Sequence, residues 1–430
     1  MGANHAMLFP SMRTVGQGTD EGYLTRDEID SVAREGLAAL PVDGRRVLVI
    51  IPDGTRTMPM PLMFELLERE LGPRVAALDY LVALGTHSPM DDAQLTALVG
   101  RPVVNGRCGS RRIMNHRWDD PATFANLGVI PARDVEAITE GRLRADVPVA
   151  LNRLANEYEH ILICGPVFPH EVAGFSGGTK YLFPGIAAPD IIHFTHWLGA
   201  LVTSYELIGK IETAVRHVID RAASLVRTPI SLVALVVTHH GVAGMFCGDV
   251  HEAWRRAAAL SSRRHIVWVD EPYDRVLAIM PAMYDDLWTA AKGTYKSEPV
   301  VADGGEVIIY APHVTEVSRV HGRVIEEVGY HCRDYFLGQW ERFRGYPGGI
   351  LAHSTHVKGL GTYDAPRDVE TPRMQVTLAT GIPEDRCRLV NLGYKDHAKV
   401  DARDYEGDPK TLVIPRAGEM LYRIRRSADW

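Results

Sequence analysis

The sequence predicts an α/β protein with two domains, each built on a Rossmann-like parallel sheet. Short β-branched apolar runs alternate with helical stretches along the 430 residues, which is typical of parallel sheets covered by helices. Several of these runs end directly in polar or glycine-rich loops. Because open α/β sheets bind ligands beyond the carboxyl ends of their strands, we expect a ligand site at these loops.

The first domain is predicted to span residues 1–267 and to begin with an irregular arm over residues 1–20. Thr25, followed three residues later by Glu28, is a capping-box pattern, which predicts a helix that runs towards Leu40.

A second helix and four strands follow in this domain. Ser88 and Pro89 have the residue types of an N-cap and a first helical position, which predicts a helix from Ser88 to about Val99. Short apolar runs bounded by turn residues predict the strands, at 47–51, 78–84, 161–164 and 232–237.

A second α/β domain is predicted over residues 268–404, and a tail over residues 405–430 is expected to pack back on the first domain. The domain division rests on a second set of apolar runs that alternate with helical segments. These runs predict strands at Val276–Met280, Val307–Tyr310, Ile350–Ala352 and Arg388–Val390.

Composition excludes several classes of protein. Lys and Arg number 47 against 54 Asp and Glu, a net charge of −7, which disfavours a nucleic-acid partner. Five cysteines with no CxxC spacing disfavour a disulfide framework and favour a reducing cytoplasm. There is no long apolar run, so we expect neither a membrane span nor a signal peptide.

The densest candidate site is the glycine-rich loop at residues 165–186, which contains Lys180. Loops of this kind hold phosphate oxygens through backbone N–H groups and a lysine. It is not a Walker A motif, because Thr179 precedes the lysine and Tyr181 follows it. A plain glycine-rich turn with a solvated lysine is the structural alternative.

Histidines and one arginine are the other candidates. His193 and His196 lie one helical turn apart, as in half of a metal site, although no zinc motif accompanies them. Arg56 follows a strand and can clamp a carboxylate or phosphate, while Asp53 can cap a turn. Further histidines end predicted strands, at positions 87, 170, 239 and 240.

Two segments of the second domain leave alternatives open. The stretch from His353 to Lys358 follows a predicted strand and could line the cleft. Asp285 and Asp286 precede Trp288 and could cap a helix instead of binding a ligand.

Four segments together resemble the nickel-pincer lactate racemase family. They are DGTR at 53–56, GTH at 85–87, PHEVAGFSGGTKYLFPGI at 169–186, and His196, and their order and spacing fit that family. The resemblance covers about residues 45–200, and the second domain matches only in general order.

The resemblance implies a cofactor cleft between the two domains and a racemase or epimerase of 2-hydroxy acids. The implied cofactor is nickel held by a pyridinium-3,5-dithiocarboxylic acid mononucleotide-type pincer, made by dedicated biosynthesis proteins. Lys180 would be linked covalently to the pincer, and His196 would bind the nickel. His87 and His170 would act as acid and base.

The resemblance also implies residues that contact the substrate and the cofactor. Arg56 and Lys292 would face the substrate, with Trp288 and Thr289 beside Lys292. The cofactor would be contacted by Asp53, Thr55, Ser176, Gly177 and Gly178.

Two departures from the family pattern lie on the substrate side. Ser88 follows GTH where the family commonly has Arg, and Trp288-Thr289 stands where Tyr-Gln is usual. The shorter Thr289 leaves space, so we expect a 2-hydroxy acid larger than lactate.

Hydride removal from such an acid leaves a stable 2-oxo acid, whereas proton removal would place negative charge beside a carboxylate. Two neutral histidines suit the accompanying proton transfer.

The rival hypotheses are a nucleotide- or phosphate-ligand enzyme without nickel and a non-catalytic carrier of the pincer. A carrier needs Lys180 and His196 but neither His87 nor His170.

Overall fold

Two sheets form the framework of the chain in a computed structural model, which describes residues 12–425. The first has eight strands and is parallel at its centre, with antiparallel pairs at both edges. The second has five strands, all parallel. The predicted α/β class with two parallel-rich sheets is therefore confirmed.

The first sheet and its helices lie before residue 267. The strands of this part are β1 Val15–Gly18, β2 Arg46–Ile51, β3 Ala77–Val82, β4 Arg107–Cys108, β5 Arg111–Asn115, β6 Phe124–Ile130, β7 Val147–Asn152, β8 His160–Pro166, β9 Pro169–His170, β10 Gly174–Phe175, β11 Ile230–Thr238 and β12 Gly241–Asp249. The helices are α1 Arg26–Ala38, α2 Met60–Leu71, α3 Asp92–Val99, α4 Ala132–Ile138, α5 Leu154–Glu157, α6 Pro189–Val202, α7 Ser204–Leu207, α8 Ala214–Ala223 and α9 Val250–His265. The sheet order is β1-β12-β11-β8-β2-β3-β5-β4.

The second sheet has the order β19-β18-β15-β14-β20. The strands of this part are β13 Ile266–Val269, β14 Tyr273–Ile279, β15 Val301–Ala311, β16 Gly361–Asp364, β17 Val369–Pro372, β18 Gln375–Thr380, β19 Gly393–Tyr394, β20 Thr411–Ile414 and β21 Leu421–Ile424. The helices are α10 Leu287–Ala290, α11 Lys292–Tyr295, α12 Gly322–Val328, α13 Arg333–Gly338, α14 Trp340–Phe343, α15 Gly348–Lys358 and α16 Glu384–Leu389.

The central strands β2, β3 and β8 run parallel, so their carboxyl ends lie on the same side of the first sheet and determine where the site forms. Every residue of β8 is buried, as expected for a strand covered on both faces. Helix α6 packs against α15, so the helix after the glycine-rich loop meets the second part of the chain.

The tail extends the second part of the chain. Strand β20 pairs with β14, and β21 pairs with β13. The Arg423 guanidinium donates to the carbonyl oxygen of Ile208 at 3.2 Å, which links the tail to the first part. The predicted domain boundaries stay a proposal.

Two predicted strands are helices, and both predictions were wrong. Ile350–Ala352 belongs to α15, which is buried from Gly349 to Lys358, and periodicity cannot separate a short buried helix from a strand. Arg388–Val390 overlaps α16, whose first turn carries the acidic Glu384 and Asp385 that favour a helix start.

Two predictions near helix and strand starts need correction as well. The arm predicted as irregular contains β1, whose glycines let it lie against β12; a Cβ at Gly16 would come within 2.4 Å of Phe246. Residues 1–11 of that arm lie outside the described residues. Helix α3 is capped by Asp91 rather than Ser88, because Asp91 forms a reciprocal capping box with Gln94. The predicted capping box of Thr25 and Glu28 is confirmed.

Over residues 12–425, the structure contains no helix with the length and apolarity needed to cross a bilayer.

Candidate active site

A cavity of about 140 Å³, which we call the inner cavity, lies where the second part of the chain closes over the carboxyl ends of the first sheet. Eight of the residues singled out from the sequence line it: Arg56, His87, His170, Lys180, His196, Trp288, Thr289 and Lys292. A small adjoining cavity shares three of them and adds Asp53, Ser176 and Gly177. The structure therefore brings together side chains that lie more than 200 positions apart.

Asp53 and His87 form a hydrogen-bonded pair at the ends of β2 and β3. The His87 Nδ1 atom lies 2.6 Å from Asp53 Oδ2. Burial opposes ionisation of Asp53, but His87, Arg56 and Thr55 outweigh it and hold the pKa of the carboxyl well below its usual range. The ionised carboxylate accepts a hydrogen bond from Nδ1–H, so we assign the free lone pair of the neutral ring to His87 Nε2.

His170, in the short strand β9, has the opposite proton arrangement. Its Nδ1 accepts the Val172 N–H at 3.1 Å, so we assign the proton of the neutral ring to Nε2. Burial, followed by Lys180 and Arg56, lowers the pKa of His170 well below its usual value. Glu171 Oε2 lies 3.4 Å from the same Nδ1 atom. His170 therefore offers a hydrogen-bond donor where His87 offers an acceptor.

Lys180 lies in the glycine-rich loop, within a turn of 3-10 helix at Gly178–Tyr181. Burial, with Arg56 as the second cause, lowers the pKa of Lys180 to about 7. About half of its amine is then neutral at neutral pH and able to act as a nucleophile.

The loop is held from beneath by Arg216 and Trp254, which the sequence analysis missed. The Arg216 guanidinium donates to the Phe175 carbonyl at 2.6 Å and to the Gly177 carbonyl at 3.3 Å. It also lies 4.2 Å from the Trp254 ring, whose indole N–H donates to the Ser176 carbonyl at 2.8 Å. An arginine on an ordinary amphipathic helix gives no sequence signal for this role.

Three residues expected to contact the cofactor have contacts within the protein. The Ser176 hydroxyl donates to the Pro166 carbonyl at 3.1 Å and accepts the Phe168 N–H at 2.9 Å. Gly177 and Gly178 have positive φ, and a Cβ would lie 2.6 Å from Val167 at Gly177 and 2.9 Å from Trp254 at Gly178. Their cofactor role stays a prediction, since packing already accounts for both glycines.

His196 and His193 lie one turn apart on α6 but have different surroundings. The His196 Nδ1–H donates to the Ile192 carbonyl at 2.7 Å, which leaves Nε2 unprotonated. Burial and the charge of Lys180 lower the pKa of His196 to about 4, so the ring stays neutral. A neutral imidazole oriented by a backbone carbonyl is the usual form of a metal ligand. His193 Nδ1 instead accepts the Gly349 N–H at 3.3 Å.

The second part of the chain contributes cations and aromatic rings. Lys292 Nζ lies 4.3 Å from the centre of the Tyr284 ring, and burial with the charge of Arg56 lowers the pKa of Lys292 well below its usual value. Thr289 is hydrogen-bonded to Asp286, which caps α10, so the capping alternative for Asp286 is confirmed.

Three lining residues of the second part were not assigned roles from the sequence. His353 and His356 come from α15 and Lys296 from the end of α11. His353 stacks on Trp288 at 4.0 Å, and its Nδ1 is buried without a partner among the described residues. In the sequence, the stretch from His353 to Lys358 was expected only as a segment that could line the cleft, and both of its histidines do line it.

The candidates His239 and His240 lie elsewhere, as does the buried His116. His116 is buried against Asn152 at 3.2 Å, and burial lowers its pKa to about 4. His239 pairs with Glu419 at 3.0 Å, and the centre of the His240 ring lies 3.7 Å from that of the His239 ring, with the two rings tilted by 41°. None of the three lines the inner cavity.

The residues present fit the cofactor that the resemblance implies. Lys180 has the lowered pKa that a covalent link through its amine requires. His196 has a free ring nitrogen held by the backbone. His353, which also lines the inner cavity, directs Nε2 to the Trp288 carbonyl at 3.1 Å and leaves a buried Nδ1 without a partner among the described residues.

The fold and the site define an α/β protein with a ligand cleft lined by histidines and buried cations. The lactate racemase N-terminal domain model matches residues 26–208. Lactate racemases from Thermoanaerobacterium thermosaccharolyticum and Lactiplantibacillus plantarum are both 23% identical to the chain over 298 residues. These alignments cover 68% and 65% of this chain and 66% and 63% of the relatives, just under two thirds of their length.

Two solved structures share the whole architecture. A crystal structure of a Thermotoga maritima protein has a TM-score of 0.86 at 31% identity and covers 95% of this chain and 100% of that one. The lactate racemase apoprotein of T. thermosaccharolyticum has a TM-score of 0.70 at 20% identity, covering 92% of both chains. Residues 26–208 thus match the lactate racemase N-terminal domain, and the chain is similar to lactate racemases over 298 residues.

Proposed function

We propose that the protein is a racemase or epimerase of a 2-hydroxy acid larger than lactate. The observation that carries the proposal is the inner cavity, which has a histidine acceptor, a histidine donor and a lysine with a pKa of about 7 on one wall. Similarity to lactate racemases supports the reaction class, and the acid itself is our inference.

In this proposal a nickel-pincer nucleotide is held by Lys180 through a covalent bond and by His196 through Nε2. When bound, it supplies a reversible hydride acceptor. The free His196 Nε2 and the lowered pKa of the Lys180 amine support this assignment.

Arg56 and Lys292 bind the substrate carboxylate. Arg56 can donate two parallel hydrogen bonds to a carboxylate, and Lys292 adds a point charge. A bound carboxylate also favours the charged form of Lys292, which burial otherwise disfavours.

His87 and His170 handle the hydroxyl proton. His87 Nε2 accepts it, and the Asp53 carboxylate stabilises the imidazolium that results. The neutral His170 donates a hydrogen bond from Nε2 to the substrate oxygen, and the proton returns from the His87 imidazolium. One histidine therefore accepts and returns the hydroxyl proton, and the other orients the same hydroxyl through a hydrogen bond.

Turnover of the cofactor-loaded protein tests the proposal. Replacing His87 with Ala is expected to lower kcat by about 10²- to 10⁴-fold, the usual contribution of one acid–base group, without loss of nickel. The matched control is His240→Ala, which removes another histidine that follows a strand of the same sheet but lies outside the cavity. Equal activity of the two variants would contradict the role of His87.

A further inference from the structure

A second and larger cavity, which we call the outer chamber, opens from the inner cavity. Its volume is about 520 Å³, against about 140 Å³ for the inner cavity. The two share a wall made of Arg56, Leu84, Thr86, His87, Trp288 and Thr289. A substrate with its carboxylate at Arg56 and its hydroxyl at His87 therefore has the outer chamber beside its remaining carbons.

The free surface of the outer chamber is largely apolar and adaptable. Four methionines line it together with Leu98 of α3: Met58, Met60, Met90 and Met283. Methionine side chains are flexible and polarisable, so they fit apolar groups of different shape, including aromatic rings.

The polar side chains at the base of the chamber are already hydrogen-bonded within the protein. Asp286 Oδ1 accepts the Thr289 N–H and hydroxyl at 3.0 and 2.9 Å, and Asp286 Oδ2 accepts the Arg319 N–H at 3.2 Å. Ser318 Oγ accepts the His321 N–H at 3.1 Å. A substrate hydroxyl in this region would compete with these bonds, which disfavours polyhydroxylated acids.

The charges of the chamber disfavour a second carboxylate. Lys180 and Lys292 line the inner cavity and not the outer chamber. At the chamber rim Arg319 is paired with Asp285 at 2.7 Å. A dicarboxylate would therefore bring its second charge towards Asp285 and Asp286, where residues 12–425 place no unpaired cation.

We propose, resting on the function proposed above, that the substrate is a monocarboxylic 2-hydroxy acid with a branched aliphatic or aromatic side chain. That side chain occupies the outer chamber, against the methionines and Trp288.

A substrate panel on the cofactor-loaded protein tests this assignment. In apolar pockets one methylene changes kcat/KM by about 10- to 200-fold. We expect 2-hydroxy-4-methylpentanoate and 3-phenyllactate to exceed lactate by at least about tenfold in kcat/KM, and to exceed malate and gluconate as well. Equal or higher kcat/KM for lactate, malate or gluconate would overturn the assignment.

Two matched variants test whether the side chain of the substrate occupies the outer chamber. Ala93 and Ala97 are both exposed alanines of α3, and Ala97 lines the outer chamber whereas Ala93 does not. Ala97→Trp should lower kcat/KM for 3-phenyllactate by about tenfold or more and change that for lactate much less. Ala93→Trp should leave both unchanged. If Ala97→Trp lowered kcat/KM equally for both acids, the substrate side chain would not lie in the outer chamber.

Calorimetry on the chain without cofactor separates this inference from the proposed function. Tighter binding of 3-phenyllactate than of lactate, weakened by Ala97→Trp, supports the outer chamber even if no acid is turned over. Turnover of lactate, together with equal binding of lactate and 3-phenyllactate, supports the proposed racemase and overturns the assignment of the substrate side chain to the outer chamber.

Discussion

The two walls of the inner cavity hold their functional groups in different ways. On the wall from the first part of the chain, His87 and His196 each direct Nδ1 to a fixed oxygen, at 2.6 and 2.7 Å. On the wall from the second part, Lys292 lies over the Tyr284 ring and forms no ion pair within the described residues. The first wall fixes where protons lie, and the second supplies charge that a bound anion can stabilise.

In the proposed function, the first wall therefore carries proton transfer, cofactor attachment and Arg56 for the substrate carboxylate, and the second wall adds Lys292 for the same carboxylate. It also agrees with the family match, which covers residues 26–208 and so contains the first wall alone. Substrate preference is then expected to vary through the second wall and the outer chamber while the reaction stays the same.

The largest expected effect separates the two histidines of α6. His196→Ala should reduce nickel from about one equivalent to none in the loaded protein, because it removes the free Nε2. The control is His193→Ala, one turn away, which should keep its nickel because His193 Nδ1 bonds to the Gly349 N–H instead. Metal analysis of both purified variants shows which of the two histidines binds nickel. Retention of nickel in His196→Ala would mean that His196 is not a nickel ligand.

The next effect is the pH dependence of the Lys180 amine. Because burial lowers its pKa to about 7, the neutral amine is the minor form below that pH and the major form above it. The rate at which an amine-reactive reagent labels Lys180 in the cofactor-free chain should rise about tenfold per pH unit below pH 7 and level off above it. Peptide mass spectrometry follows this labelling. A rate still rising steeply at pH 9 would indicate an ordinary lysine.

The smallest effect concerns Ser176, whose hydroxyl joins two backbone groups of the glycine-rich loop. Ser176→Ala should lower the free energy of unfolding by about 1–3 kcal/mol, because it leaves a buried N–H group unpaired. The exposed control Ser224→Ala should change it by less than about 0.5 kcal/mol. Urea unfolding measures both. Unchanged stability together with loss of the adduct would make Ser176 a cofactor ligand rather than a loop support.

The sequence alone predicted the α/β class and the residues of the first wall. His87, His170, Lys180 and His196 follow strands or a glycine-rich loop, and their local motifs carry the prediction. The pairing of Asp53 with His87 could not be predicted, because it depends on β2 and β3 ending side by side.

The second wall was harder to predict because its residues come from short buried helices. Residues Ile350–Ala352, just before His353, were predicted as a strand because so short an apolar run has no clear helical or strand periodicity. Arg216 stayed hidden because its role depends on the carbonyl groups of a loop about 40 residues away.

Intact mass and nickel content after co-expression with the pincer biosynthesis proteins test the central claim most directly. Wild type is expected to gain one pincer mass and about one nickel, and Lys180→Ala to gain no adduct. Lys180→Arg is the control that keeps a charged side chain without a nucleophilic amine, and it should also stay unmodified. An unmodified wild-type chain without nickel, beside a lactate racemase that loads under the same conditions, would contradict the account and favour a nucleotide- or phosphate-ligand enzyme without nickel.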